Sequence, residues 1–390
     1  MMPDTQKIYG RELTGGRKQV RIIDTTLRDG EQAPGVVFSS DERVEIASML
    51  AWAGVDEIEA GTPAMGEAAC RDIRKMVDLK LPCTLTSWCR ASEKDIEMAS
   101  KCRTSGVHIS FPTSSILLKA FDKDKQWVMS ELPRLVSISK LYFDTVSVGA
   151  QDATRTDSEF LIQFCNIAAD LGVQSLRLAD TVGLTTPMGV KLLVKEVVNS
   201  IPTLPLEFHG HNDLGMATGN AVSAVEAGAD ALSVTVNGLG ERAGNTALEE
   251  VCVALFGVGN YTGSVNLAML QGLCRKVAAA SGRDIAPSKA IVGENVFRHE
   301  SGIHCAGLLR NSLSYQPFDP GLIGKRGRPE IVFGTHSGRS VIYHTLLELG
   351  MNVTREEASV LIPLVKRKSR VKKGSLSCSE LKDLYQETFA

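Results

Sequence analysis

The chain has 390 residues, 43% hydrophobic and 23% charged, and its 43 basic and 45 acidic side chains leave a formal net charge of −2. That balance gives no electrostatic reason for a nucleic-acid or anionic-membrane partner, and the composition is that of an ordinary globular chain rather than a disordered one. The length exceeds one typical domain, which points to a large barrel with an appendage or to two domains.

The first twenty residues, MMPDTQKIYGRELTGGRKQV, lack an apolar secretory core, and no later stretch approaches membrane-spanning length, so the expected location is cytoplasmic. From about residue 20, short β-branched runs alternate with longer amphipathic segments, the pattern of repeated βα units around parallel strands. Strands are expected over 20–25, 56–60, 83–88, 107–111, 143–148, 175–179, 206–211 and 231–236. Intervening helices include 40–53, 157–171 and 217–227. A glycine recurs just before a strand in AGVDEIEAG, SGVHISF, LGVQSLRL and AGADALSV, where a helix C-cap turns into the next strand. Eight units in roughly 240 residues fit a (β/α)8 TIM barrel of about 250 residues. NGLGERAGN lacks the G-x-G-x-x-G spacing of a dinucleotide fold and follows the last strand.

After Gly282 the rhythm breaks into Gly-, Pro- and charge-rich stretches, followed by helices expected over 340–349, 355–369 and 377–388. The division is therefore a barrel domain over 18–282 and a smaller, mostly helical C-terminal region over 283–390. Those helices look too few to bury a large independent core, which suggests packing on the barrel or on a second subunit. The basic run VKRKSRVKKG reads as a solvated helix face.

Chemistry concentrates at strand ends. In LEFHGHND, His209 and His211 lie two apart on a strand, so alternation sends both side chains to one face at the end where barrels carry their active sites. The first strand exit, IIDTTLRDGEQ, brings Asp24, Arg28, Asp29, Glu31 and Gln32 to the same mouth. One carboxylate beside two imidazoles leaves coordination positions open for substrate, as a catalytic metal requires. Glu207 is placed to accept an imidazole N–H, or to pair with a lysine. NGLGERAGN brings Glu241 and Asn245 toward the metal. HESGIHCAG adds His299 and His304 from outside the barrel, and histidine is the commonest general base near neutral pH. The spacing is not H-E-x-x-H, and G-x-S-x-G, Walker A and EF-hand motifs are absent. Nine cysteines form no C-x-x-C pair and read as buried thiols; Cys305, next to His304, is the one with a suggestive neighbour.

DTTLRDGEQ, LADTVG, HGHNDLG, NGLGERAGN and GENVFRHESGIH together resemble the DRE-TIM metallolyases, the isopropylmalate synthase and homocitrate synthase family. TSWCR, FPTSSILLKAF and LKDLYQ are most similar to homocitrate synthases of the nitrogen-fixation type. The resemblance implies a metal-dependent Claisen condensation of acetyl-CoA with 2-oxoglutarate, then thioester hydrolysis to homocitrate and CoA. Asp29, His209 and His211 match the metal ligands, Asn245 a residue near or on the metal, and Asp24 no ligand. The divalent ion is magnesium, manganese or zinc. Arg28 matches the arginine facing developing oxyanion charge, Gln32 a neighbouring amide, and Thr181 the hydroxyl contacting the 2-oxo acid's C1 carboxylate. His304 matches the general base and Tyr315 a tyrosine of the same site, with Glu241 counted among the catalytic residues.

In this family the segment carrying that histidine reaches the neighbouring barrel, which implies a homodimer with shared sites. Gln151 stands where many relatives have Glu supporting the histidine, and an amide can orient but supplies no charge. Ser147 and Gly149 replace the Arg and Ser by which lysine-pathway homocitrate synthases hold the distal carboxylate. The chain ends soon after LKDLYQ, without the domain-sized regulatory extension of many isopropylmalate synthases. The alternative is the same chemistry on another 2-oxo acid, as in Re-type citrate, isopropylmalate or citramalate synthases.

Overall fold

The computed structural model describes residues 18–311, 314–325, 327 and 329–389, apart from the Leu309 side chain, and the backbone of residues 7–8 and 11–12. Eight parallel strands close into a barrel: β1 (Arg21–Asp24), β2 (Glu57–Gly61), β3 (Thr84–Arg90), β4 (Gly106–Pro112), β5 (Thr145–Gln151), β6 (Ser175–Asp180), β7 (Leu206–Gly210) and β8 (Ala231–Val234). Neighbours in the chain are neighbours in the sheet, and β8 closes on β1 with Ala231 opposite Arg21. All eight expected strands are present. The expected fifth strand is shifted toward Gln151, because Phe143 N–H still bonds the helical carbonyl of Ser139. The seventh stops at Gly210, and His211 instead bridges to Asn245 in the loop after β8.

Local chemistry explains the helices. Helix α1 (Ser40–Ala53) opens on a reciprocal capping box between Ser39 and Glu42 and ends at Gly54, left-handed at φ 91°. A Cβ at Gly54 would lie 2.3 Å from the Ser264 carbonyl oxygen, so both conformation and space demand glycine. The same logic fails in SGVHISF. Gly106 opens β4 without a left-handed φ; Arg103 takes that conformation at 62°, and Gly106 is needed because a Cβ would meet Thr145 and Thr86 hydroxyls at 2.6 and 2.7 Å. Around the barrel run α2 (Glu67–Asp78), α3 (Glu93–Ser100), α4 (Ser115–Ala120), α5 (Lys125–Ser139), α6 (Ser158–Asp170), α7 (Pro187–Ser200) and α8 (Ala217–Ala227). Helices α9 (Leu248–Cys252) and α10 (Leu270–Ser281) follow β8.

Branched aliphatics usually dominate the interior layers of such barrels. Here one layer is ionic. Glu59 from β2, Arg177 from β6, and Glu207 from β7 are all buried, with Ser233 of β8 hydrogen-bonded to Glu207. The layer fills the space directly under the mouth.

The chain divides into two compact units, one ending at Ile285 and the other beginning at Ala286. The second contains α11 (Gly302–Arg310), α12 (Arg339–Glu348), α13 (Arg355–Lys372) and α14 (Cys378–Phe389). Its helices were expected to be too few to bury a large independent core, yet the unit has a buried cluster of its own. Phe333, Val341, Ile342, Leu346, Leu361, Val365, Leu376, Leu381 and Leu384 form a buried cluster, because the segment around Phe333 bridges Leu376 and fills the gap between helices. Cys305 belongs to this cluster; burial pushes its thiol up to about 11, so it is a packing residue. VKRKSRVKKG forms the end of α13, where Arg370 and Lys372 face the helix C-terminus and Lys372 pairs with Glu380 at 2.6 Å. Among the described residues no helix is long and apolar enough to cross a membrane.

Candidate metal centre and active site

The turn after β1 is wound on one carbonyl: the amides of Arg28, Asp29 and Gly30 all point at Thr25 O. This winding separates the acids that sequence left equivalent. Asp24 turns away, accepting from Thr26 N–H and Oγ1–H at 2.8 and 3.1 Å, and burial pushes its carboxyl up to about 7. Glu31 pairs with Arg43 and accepts from Phe38 N–H. Asp29 alone faces the histidines: its Oδ2 lies 3.0 Å from His209 Nε2 and 3.7 Å from His211 Nε2.

The two Nε2 atoms are 3.1 Å apart, and all three ligand atoms lie within 4.8 Å of one another. Burial and the neighbouring His209 push His211 down to about 3, so it presents a neutral imidazole. Burial opposes the charge on Asp29, yet Arg28 and the imidazoles hold its carboxyl well below the usual carboxylate range. An ionised carboxylate crowded against imidazole nitrogens is a donor set that fits a divalent cation. Asn245 Nδ2 donates to Asp29 Oδ2 at 2.7 Å and fixes the carboxylate's rotation. Both histidine Nδ1 atoms are buried without hydrogen-bond partners. The expectation that Glu207 accepts an imidazole N–H is therefore wrong: Arg177 Nε claims its Oε1 at 2.6 Å, together with Ser233 Oγ.

Arg28 is held from two sides. Its Nε donates to Glu59 at 2.5 Å and its Nη1 lies 3.0 Å from Asp29 Oδ1, while its guanidinium carbon sits 5.3 Å from the Trp88 ring centroid. Glu59 in turn lies 2.6 Å from Arg177 Nη2. A continuous chain, Glu207–Arg177–Glu59–Arg28–Asp29, thus runs from the barrel interior to the candidate ligands.

Arg28, Asp29, Gln32, Gln151, Thr181, His209, His211 and Glu241 border one cavity of about 150 Å³. Thr181 Oγ1 accepts from Asp152 N–H at 2.8 Å, tying the β6 loop to the β5 loop. Glu241 is half exposed, 3.6 Å from Arg242. In the second unit the His304 and Tyr315 rings stack, centroids 4.1 Å apart and planes inclined by 21°, and both side chains are exposed.

Sequence reasoning missed five polar or aromatic side chains bordering the cavity: Trp88, His108, Ser110, Arg177 and Arg242. His108 in GVHISF and Arg177 in SLRLAD are polar intrusions in apolar strand runs, a signal that was available. Burial and Arg177 push His108 well below the usual imidazole range, and its Nδ1 pairs with Ser147 Oγ at 2.9 Å. Arg242 stands in the left-handed region at φ 55° and binds Asp213 Oδ1 at 2.8 Å and the Thr181 carbonyl at 2.8 Å. It fastens the loop after β8 to the loops after β6 and β7, and nothing in GERAG distinguishes it from a surface arginine.

Residues 19–277 match the HMGL-like family, and residues 291–373 match the homocitrate synthase post-HMGL domain-like family. The chain is 43% identical over 371 residues to 2-isopropylmalate synthase 2 of Caldanaerobacter subterraneus subsp. tengcongensis, covering 95% of this chain and 96% of that one. It is 43% identical over 372 residues to homocitrate synthase 1 of Nostoc sp., covering 95% and 97%. An (R)-citramalate synthase of Methanocaldococcus jannaschii is 40% identical over 348 residues, covering 89% and 70%. The barrel superposes on hydroxymethylglutaryl-CoA lyase from Pseudomonas aeruginosa with a TM-score of 0.61 at 19% identity, covering 69% of this chain and 95% of that one. That likeness concerns the fold alone. The chain belongs to the HMGL-like family of TIM-barrel enzymes, the DRE-TIM metallolyases, and is an acyltransferase of the class that converts the acyl group to alkyl on transfer.

Proposed function

We propose that this enzyme condenses acetyl-CoA with 2-oxoglutarate and hydrolyses the thioester, releasing homocitrate and CoA, as homocitrate synthases of the nitrogen-fixation type do. The observation that carries the reading is the convergence of Asp29, His209 and His211 beside Arg28 in a cavity that Gln32, Gln151 and Thr181 also border. Bound by Asp29, His209 and His211, a divalent cation such as magnesium, manganese or zinc supplies Lewis acidity at the ketone oxygen.

Arg28, oriented by Glu59 and Asp29, faces the oxygen on which negative charge develops. Thr181 binds the C1 carboxylate, and Gln32 and Gln151 position the substrate from the β1 and β5 loops. His304 accepts the acetyl methyl proton, with Tyr315 and Glu241 completing the catalytic group; Asn245 holds the ligand carboxylate or joins it on the ion. The new bond joins the acetyl methyl carbon to C2 of the oxo acid, and water then cleaves the thioester to a carboxylate and free thiol. His304 reaches this site from a second copy in a cytoplasmic homodimer.

The second reading keeps the chemistry and changes the oxo acid, which the 40–43% identities to an isopropylmalate and a citramalate synthase favour equally. A thiol-release assay with acetyl-CoA against 2-oxoglutarate, oxaloacetate, 2-oxoisovalerate and pyruvate, with and without chelator, decides both. The expected result is chelator-sensitive release, fastest with 2-oxoglutarate. Fastest release with another acid replaces the substrate, and no release with any of them removes the synthase reading.

A further inference from the structure

Arg177 is a buried cation that the condensation leaves unused. Along β6 the side chains bordering the cavity are Arg177 and Ala179, followed by Thr181 in the loop. His209 stands level with Ala179 in the sheet, and Glu207 level with Arg177. Arg177 therefore lies two residues deeper than the candidate metal ligand, roughly 7 Å along the strand.

On its other side β6 pairs with β5, where Arg177 stands opposite Gly149. A Cβ at Gly149 would lie 2.6 Å from His108 Nε2 and 3.6 Å from Arg177 Cβ, so the missing side chain lets the His108 ring swing in over Gly149, beside Arg177. Arg177 uses Nε on Glu207 and Nη2 on Glu59; its Nη1 donors make no hydrogen bond to any described residue. Ser110 of β4 stands level with Gly149 and hence with Arg177, and His108, two residues deeper on the same strand, also borders the cavity.

From this arrangement we infer that Arg177 is a specificity-determining residue that receives the distal carboxylate of a 2-oxo dicarboxylic acid. An acid held at the mouth by its 2-oxo end directs its tail toward Arg177, His108 and Ser110. An apolar tail would cover these donors without satisfying them, whereas a carboxylate accepts from several at once. Arg177 thus takes, from the neighbouring strand, the place that Ser147 and Gly149 leave without a cation. The inference rests on the condensing-enzyme reading but extends to every dicarboxylic substrate.

The test compares acids of equal length: 2-oxoglutarate with 2-oxovalerate, and oxaloacetate with 2-oxobutyrate. In the wild type, kcat/KM should favour the diacid of at least one pair by tenfold or more. Arg177→Gln should erase that preference while changing the monoacid values less, and Arg177→Lys should restore part of it. Calorimetric binding of the same pairs to manganese-loaded protein gives the ratio without turnover, and the wild-type ratio decides where a variant fails to fold. Equal binding of diacid and monoacid by the wild type overturns the inference, as does an Arg177→Gln variant that weakens both equally. Preference for oxaloacetate over 2-oxoglutarate would remove the homocitrate assignment and leave the role of Arg177 standing.

Discussion

Replacing Glu59 by Gln removes one charge from a site enclosed by two cations. The carboxylate is fully buried, 2.5 Å from Arg28 Nε and 2.6 Å from Arg177 Nη2. Burial works against its ionisation, but Arg177 and Arg28 hold it down to about 2, from an ordinary value of 4.5. At about 1.4 kcal/mol per pH unit, that depression stabilises the fold by about 3 kcal/mol at neutral pH. Deleting one partner of a buried pair costs a similar 3–5 kcal/mol or so. In a domain of this size about 1 kcal/mol shifts Tm by roughly 2–4 °C, so Glu59→Gln should melt roughly 6–20 °C lower at pH 7.

The pH dependence carries the sign. A depressed carboxylate contributes fully above its unfolded value, and the contribution drains away as pH falls from about 4.5 toward 2. Calorimetry and urea unfolding from pH 7 down to pH 2.5 should show the wild type and Glu59→Gln converging across that window. A variant melting within about 2 °C of wild type at pH 7, or a gap that stays constant with pH, would refute the ionic account of this layer.

Asn245→Ala should weaken manganese or zinc binding about 10–100-fold by freeing the Asp29 carboxylate, measured by competition with a chromophoric chelator; unchanged affinity removes its orienting role. Asp24→Asn should stabilise the protein more at pH 8 than at pH 5, since the penalty of a carboxyl raised from 3.8 to about 7 grows as pH rises between those values and is complete above the upper one; a greater gain at pH 5 contradicts the assignment. Gly54→Ala should lower stability by about 2 kcal/mol or more through its left-handed φ and the Ser264 carbonyl, while KM is unchanged; equal stability in denaturant titration would mean that the loop yields freely. Mixing Asp29→Ala and His304→Ala chains after co-refolding should restore about a quarter of wild-type thiol release if sites are shared across a dimer, and none if each chain is self-sufficient.

Period and punctuation made the barrel legible. The β-branched runs fell on the eight strands, and Ser39 with Gly54 bracketed α1 because capping and left-handed turns depend on a few adjacent residues. The histidine pair was readable for the same reason: alternation along one strand is a local rule. What stayed hidden depends on partners distant in sequence. Glu207 looked like a histidine's companion until Arg177, thirty residues earlier, claimed it. Asp24 and Asp29 could not be separated without the turn wound on Thr25 O. The C-terminal core was underestimated because Phe333 and Leu376, both outside its helices, complete it.

The ionic layer also bears on how the substrate pocket can drift over generations. A solvated arginine can be exchanged one step at a time, but Arg177 answers to Glu59 and Glu207, and Glu59 answers to Arg28. Any single change strands a charge in the protein interior, so a lineage shifting its oxo acid must replace residues on separate strands almost together. Selectivity in this barrel is thereby inherited as a block, and relatives with another tail preference should differ at Glu59, Arg177 and Glu207 jointly rather than at one of them.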